Sequence, residues 1–230
     1  SVAVGAVKKQ NADTEYNKGN YQQAIADYKL LLKEGDNADV YFNLGNAYYR
    51  TDSIAQAVIA LERATLLNPG DKATRFNLSF VRSKTIDKIA EKDNMFFIAF
   101  YNLMGMDGWA VLSVVAVIAM LLLLLVYLFV SQLAMRKAGF YGAIVMFVIF
   151  LSSMWFAWQQ YDSLTRKDRA IVISSVVNVK KTPSEKGSDA FIIHEGTRIK
   201  ITDASMKEWC GVMLDDGREG WMKKSQMEII

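Results

Sequence analysis

Two long runs without charge interrupt the alternation of polar and apolar residues along the chain. Gly108 to Met135 is 28 residues long and Ala138 to Tyr161 is 24, and neither run contains a charged side chain. A helix of about 20 apolar residues, rising about 1.5 Å per residue, crosses a hydrocarbon core roughly 30 Å thick. The pattern therefore predicts two membrane-spanning helices, at 108–135 and 138–161, and it excludes a single soluble domain.

A repeat of small and aromatic residues occupies the N-terminal part of the chain. Five positions recur further along the chain at one constant offset, and Asn43-Leu44 recurs at nearly the same offset as Asn77-Leu78. The five are Ala12, Gly19, Tyr21, Ala24 and Tyr28, which return as Gly45, Asp52, Ile54, Ala57 and Leu61. This period indicates stacked pairs of antiparallel helices, and the pattern resembles the tetratricopeptide repeat (TPR), whose period is about 34 residues.

The second copy of the repeat is the clearest. It predicts helices over residues 41–49 and 53–67, with Gly45 and Ala57 small because the two helices cross there. Residues 68–71, Asn-Pro-Gly-Asp, end one helix and cap the next. The third copy is a single helix from about Ala73 to Ala90 that caps the stack. We therefore expect an α-helical TPR solenoid of two repeats and a capping helix over residues 7–93.

The resemblance to TPR proteins implies a groove, lined by the first helix of each repeat, that binds peptides or partner helices. Some of these proteins clamp a C-terminal carboxylate with Lys and Asn side chains, and Lys9 and Asn43 fit that pattern in part, whereas Asp13 replaces an Asn. The alternative is that the groove positions are ordinary solvated helix positions. The candidate groove residues are Lys9, Asp13, Tyr16, Asn43, Asn46, Tyr49 and Arg50.

The ends of the predicted spans carry aromatic residues. Residues 94–107 are too short to span and suit a helix in the membrane interface, and Trp155, Trp158 and Tyr161 form an aromatic belt at the end of the second span. The spans contain no ionisable residue, which argues against an ion pathway. Gly139 and Gly142 favour close packing of the two helices. We expect the hairpin to be an anchor.

The orientation of the hairpin depends on Arg136 and Lys137, which form the predicted turn at 136–137. Basic residues in short loops favour the cytoplasm, so both polar regions are expected on the periplasmic side of a bacterial inner membrane. Residues 1–6 fit the remnant of a signal peptide or, alternatively, the start of a helix. The opposing observation is a second basic cluster of Arg166, Lys167 and Arg169, offset by Asp162 and Asp168.

Residues 170–230, which follow a linker at 162–169, have the residue pattern of short β-strands separated by turns. Five or six strands predict a small all-β barrel. The Glu195-Gly196-Thr197 turn and the late Gly220-Trp221 pair resemble the bacterial SH3 (SH3b) domain, whose members bind peptides or cell-wall glycans. Trp209 and Trp221 are candidate groove walls or core residues. His194 is expected to be structural or exposed, and Cys210 a buried thiol.

Charge and composition narrow the function classes. Residues 1–94 hold 13 basic and 12 acidic side chains and residues 162–230 hold 12 and 11, so the net charge of +3 forms no broad cationic face for nucleic acid. One cysteine and one histidine make a disulfide within the chain or a metal cluster implausible. We expect no catalytic site and no cofactor, because no nucleophile elbow or phosphate loop is present.

The complete order is a TPR region, two spans and an SH3-like barrel, that is, a multidomain membrane protein. This order resembles the E-type component of the Bacteroides aerotolerance (Bat) proteins. The resemblance implies partners: membrane proteins with von Willebrand factor A domains, another TPR protein and, indirectly, a MoxR-type ATPase. It also implies a role in envelope integrity or oxidative-stress tolerance. We expect a non-catalytic scaffold, and the alternative is an envelope protein that binds peptidoglycan through the β domain.

Overall fold

The computed structural model describes residues 9–89 and 95–230, which form two compact units. The first unit contains the helical repeat together with the C-terminal sheet, and the second comprises residues 99–165. The predicted signal-peptide remnant at 1–6 lies outside the described residues.

Five helices form the repeat region. They are α1 (Lys9–Asn17), α2 (Tyr21–Leu31), α3 (Ala38–Arg50), α4 (Ile54–Leu67) and α5 (Lys72–Arg82). The connections within the two pairs match, because Gly19 and Asp52, which occupy equivalent positions of the repeat, both have left-handed backbones with φ of +85° and +58°. The predicted two helix pairs and third single helix are therefore present.

Helix α5 ends earlier than the sequence predicted. It stops at Arg82 rather than near Ala90, and the described residues after it, 83–89, are irregular. The ammonium of Lys88 donates to the carbonyl oxygens of Ser83 and Thr85, both at 2.7 Å. These carbonyl oxygens lie past the last helical turn and need hydrogen-bond donors from outside the helix, so the lysine stabilises the irregular path of the chain.

The crossing of α3 and α4 depends on Gly45, as predicted. A Cβ atom at this position would lie 2.6 Å from Cγ of Leu61 and 3.3 Å from the carbonyl oxygen of Ala57. Leu61 and Ala57 are themselves fully buried. Only glycine therefore allows these two helices to approach so closely.

The second unit is built on two long apolar helices. The chain forms α6 (Met95–Tyr101), α7 (Met106–Phe129) and α8 (Leu133–Thr165), and both α7 and α8 are long and apolar enough to cross a membrane. The break between α7 and α8 falls at 130–132, not at the predicted 136–137. Arg136 and Lys137 lie in the first turns of α8, where the Arg136 amide donates to Gln132 at 3.0 Å. Both residues are good helix formers, which explains the shifted boundary.

Helices α7 and α8 pack through small residues near the turn and aromatic residues at the other end. A Cβ on Gly139 would lie 2.8 Å from the carbonyl oxygen of Leu123, so this glycine permits backbone contact, as predicted. Trp109 is buried and stacks on Phe156 with ring centroids 4.8 Å apart. Gln160 is also buried, and its amide donates to the carbonyl oxygens of Tyr101 and Met104. Gln160 was not among the predicted residues.

The C-terminal region is an antiparallel sheet of seven strands, one or two more than predicted. The strands are β1 (Arg169–Val172), β2 (Val176–Lys180), β3 (Asp189–His194), β4 (Arg198–Asp203), β5 (Trp209–Met213), β6 (Glu219–Lys223) and β7 (Met227–Ile229), paired in the order β3-β2-β6-β5-β4-β1-β7. The predicted barrel is not closed, because β3 and β7 are end strands that do not pair with each other. All seven strands nevertheless contribute to one buried apolar cluster.

The open end of the sheet packs on the helical repeat. Residues 170–172 of β1 are buried on both faces: Ala170 and Val172 face the sheet core, and Ile171 joins an apolar cluster with Val58 and Leu61 of α4. Arg63 of α4 binds the carboxylate of Glu228 and the carbonyl oxygen of Ile229 on β7. The region from 170 onward is thus integrated with the repeat rather than being a separate domain.

Candidate protein-binding face of the helical repeat

The first helices α1, α3 and α5 lie side by side, and their shared outer surface is the groove face. At the N-terminal end of this face, the carboxylate of Asp13 accepts hydrogen bonds from three side chains. Its Oδ1 accepts from the hydroxyl of Tyr28 at 2.6 Å and the amide of Asn43 at 2.8 Å, and its Oδ2 accepts from Lys9 at 3.2 Å. Three predicted groove residues, Lys9, Asp13 and Asn43, therefore form one network across two helices.

The charge state of Asp13 follows from this network. Partial burial acts to raise the pKa of the carboxyl, but hydrogen bonds from Tyr28, Lys9 and Asn43 and the charge of Lys9 outweigh it, and the pKa lies below its ordinary value. Asp13 is therefore an anion at neutral pH, and it neutralises Lys9. This pairing disfavours the carboxylate clamp, since the lysine that would bind an incoming carboxylate already binds an acid.

The second group on the groove face contains Arg50 and two tyrosines. The guanidinium of Arg50 lies over the ring of Tyr21, 4.9 Å from its centroid, and Tyr21 contacts Tyr16 edge to face at 5.3 Å. Tyr21 was not among the predicted groove residues, although the repeat had singled it out for its position. The contact joins the predicted residues Tyr16 and Arg50, and it leaves the Arg50 side chain exposed.

The third group brings α3 and α5 together. The amide of Asn77 donates to Oδ1 of Asn46 at 2.8 Å, and Tyr49 contacts Phe80 edge to face at 5.4 Å. Phe80 is 42% exposed, and Phe76, one turn earlier, is 71% exposed. The structure thus places the predicted Asn46 and Tyr49 in contact with Asn77 and Phe80 of α5, which were not predicted for this face.

A signal for the missed residues exists in the sequence. The offset that relates Asn43 to Asn77 also relates Phe42 to Phe76 and Asn46 to Phe80. Applying this offset to all the candidate groove residues would have predicted that the groove face extends onto α5. The resulting surface has a charged end at α1 and an aromatic end at α5, joined by a row of side-chain amides. Such a surface offers hydrogen bonds to a peptide backbone and exposed apolar area to its side chains.

The other predicted residues lie elsewhere. Trp209 and Trp221 are half-buried on the face of β5 and β6 that is opposite the core, since their strand neighbours Cys210 and Met222 are the fully buried ones. The core alternative for the two tryptophans is thereby excluded. Arg136 and Lys137 are exposed in the second unit. Cys210 is a buried thiol, as predicted, and burial raises its pKa.

His194 is structural, and its partner was not predicted. The carboxylate of Asp87 accepts from the His194 backbone amide at 2.6 Å and from the Thr197 hydroxyl at 2.6 Å, and its other oxygen lies 3.1 Å from His194 Nδ1. A Cβ on Gly196 would lie 2.6 Å from Cγ2 of Thr85. The Glu-Gly-Thr turn of the sheet therefore binds the segment that follows α5.

Stacked antiparallel helix pairs, a glycine at their crossing and a face of amides and aromatic rings define a helical-repeat protein of the interaction class. The comparison with protein families agrees: residues 16–75 match the family described as tetratricopeptide repeat. The predicted TPR region is thereby confirmed for α2 to α4 and their flanks. No curated protein matches the chain.

Proposed function

We propose that the protein is a non-catalytic adaptor that binds a protein partner on the groove face. The observation that carries this proposal is the continuous row of amides and aromatic rings from Asn43 through Asn46 and Asn77 to Phe80, presented by a TPR region. A TPR region implies protein partners in general. The exposed Phe76 and Phe80 add apolar area that a partner would bury.

We propose further that α7 and α8 anchor this adaptor in a membrane. Their length and apolar surface support the proposal, and the charged residues of the chain stand outside the two central runs. The helical repeat and the sheet, which form one compact unit, would then share one side of the bilayer. The basic pair Arg136 and Lys137 at the start of α8 supports a cytoplasmic turn and hence a periplasmic location for that unit.

A narrower proposal concerns the biological setting. The order of TPR region, two apolar helices and β region, with its Glu-Gly-Thr turn and late Gly-Trp pair, supports membership of the Bat group as its E-type component and a divergent SH3b character for the open sheet. The partners would then be Bat membrane proteins with von Willebrand factor A domains. The process would be envelope integrity or oxidative-stress tolerance.

The groove face can be tested by co-purification from detergent-solubilised membranes. Asn46→Ala combined with Arg50→Glu removes an amide and reverses the exposed charge, so recovery of bound proteins should fall by about tenfold, as expected for about 1.4 kcal/mol. The matched control is Gln22→Ala with Lys186→Glu, two exposed positions away from the face. Equal recovery with both double variants would contradict the groove assignment.

The orientation has its own test, which uses the burial of Cys210. Because the native thiol is fully buried and its pKa is raised, it contributes little background to labelling by a membrane-impermeant maleimide. Intact cells with a permeabilised outer membrane should label Lys84→Cys but not Ser131→Cys, which lies in the break between α7 and α8. Lysis should make Ser131→Cys reactive. Labelling of Ser131→Cys in intact cells would reverse the proposed orientation.

A further inference from the structure

A second surface of the repeat, away from the groove face, contains a cavity of about 290 Å³ between α2, α3 and α4. Its floor is aliphatic and firmly packed, since Leu44, Ile59 and Ala60 are 5%, 3% and 2% exposed. Buried floor residues of this kind do not rearrange freely, so the cavity is largely preformed. It belongs to a part of the molecule that the proposed function does not use.

Two tyrosine rings and several cations surround the aliphatic floor. Tyr41 and Tyr48 line the cavity, and Arg63 and Lys29 lie over their rings at 5.9 and 5.4 Å from the centroids. Burial and a hydrogen bond to Asp36 raise the pKa of Tyr41 to about 12, so its ring stays neutral at physiological pH. The cavity thus has an apolar floor, two aromatic walls and a positively charged rim.

The charges of the rim are not balanced. Lys29, Lys33 and Arg63 line the cavity together with a single acid, Glu228, which already binds Arg63 at 3.0 Å. Lys29 and Lys33 are exposed, and within the described ranges 9–89 and 95–230 neither forms a salt bridge. The open cations therefore favour an anionic occupant.

The size of the cavity indicates the kind of occupant. Pockets for small molecules and cofactors measure about 300–1,000 Å³ and enclose most of their ligand. This cavity is at the lower limit and opens to solvent beside two exposed lysines, which suits one large side chain of a bound chain. An aromatic side chain fits best, because it would pack between tyrosine rings over aliphatic carbons.

We propose that this cavity binds an acidic segment of a partner protein, with one aromatic side chain in the cavity and neighbouring carboxylates at Lys29 and Lys33. The site is independent of the groove face, so one surface can fail its test while the other passes. A chain that binds two partner segments on different faces of one repeat would act as a bridge between them.

The test uses the full chain in detergent and fluorescence anisotropy with a labelled Glu-Glu-Phe-Glu-Glu peptide. We expect binding to this peptide, with at least about tenfold weaker binding of Glu-Glu-Ser-Glu-Glu and none of Lys-Lys-Phe-Lys-Lys. Lys29→Glu with Lys33→Glu should weaken binding of the first peptide by about tenfold or more. The matched control, Lys72→Glu with Lys186→Glu, changes the net charge equally at exposed positions outside the cavity and should leave it unchanged.

Four results would overturn the proposal. Absence of binding would do so, as would equal loss in the two double variants, which would indicate diffuse charge attraction. Equal binding of the Phe and Ser peptides would show that nothing enters the cavity. If Arg50→Glu abolished binding while the Lys29 and Lys33 variant did not, the peptide would be bound on the groove face, which would support the proposed function and remove this one.

Discussion

Replacing Gly45 by valine should destabilise the α3–α4 pair by about 3 kcal/mol. The new Cβ would lie 2.6 Å from Cγ of Leu61, a fully buried side chain, and 3.3 Å from the carbonyl oxygen of Ala57. Both atoms belong to α4, so the valine side chain has no space on that helix. Overpacking of a dense core typically costs about 1–3 kcal/mol, and this position is at the upper end because backbone as well as side chain is in the way. Hydrogen–deuterium exchange of the full chain in detergent should show about a hundredfold loss of protection in α3 and α4.

The matched control for this change is Ser79→Val. Ser79 occupies the position of α5 that corresponds to Gly45, but the described residues that follow α5, 83–89, form no second helix, and Ser79 is exposed. The same valine should therefore change stability by no more than about 0.5 kcal/mol. Unchanged protection in Gly45→Val, or an equal loss in Ser79→Val, would show that close crossing at Gly45 does not hold the pair together.

Asp87→Ala should loosen the contact between the helical repeat and the sheet by about 3 kcal/mol. The substitution removes a carboxylate that accepts from the amide of His194 and the hydroxyl of Thr197, and it leaves those donors without this partner. Hydrogen bonds to charged groups contribute about 1.5–3 kcal/mol each, less where water replaces them. Hydrogen exchange at residues 194–197 and proteolysis within 83–89 should both accelerate. Asp189→Ala, which loses only an exposed pair with Lys180, should have little effect.

The contact at Asp87 should also depend on pH. Burial acts to raise the pKa of this carboxyl, but hydrogen bonds from Thr197 and His194 outweigh it, and the folded-state pKa is below the ordinary value. A depressed pKa means that the unfolded state binds the proton more readily, so the stabilisation is complete above about pH 4 and is lost as pH falls through the folded-state pKa. Protection factors at 194–197, which are exchange rates corrected for the intrinsic amide rate at each pH, should fall on acidification in the wild type, and Asp87→Asn should reduce that fall.

The helical part of this fold was predictable because its signals are local. The constant spacing of the repeat located the helix pairs, and Gly45 located their crossing, since only a small residue fits there. The charge-free runs located α7 and α8, but their boundary was misplaced because Arg136 and Lys137 are compatible with a helix. The groove face was predicted on α1 and α3 but missed on α5. Phe80 occupies the repeat position equivalent to Asn46, but it is a different type of residue.

The contact between the repeat and the sheet could not be predicted, for a physical reason. Asp87 and His194 are 107 residues apart, and no spacing or alternation relates two such positions. The strand β1 did carry a usable signal: residues 170–173 are an uninterrupted apolar run, which is typical of a strand buried on both faces. Ile171 confirms that reading by packing against α4. The open order of the sheet likewise depends on this packing and not on the strands alone.

The most direct test of the adaptor account is photo-crosslinking from the groove face in living cells. A benzoylphenylalanine at Asn46 or at Phe80 should form an adduct with the same partner protein, and Arg50→Glu in the same chain should remove both adducts. The same probe at Gln22, an exposed position on α2, should not form that adduct. Identical adducts from Gln22, or adducts at Asn46 and Phe80 that are insensitive to Arg50→Glu, would contradict the account.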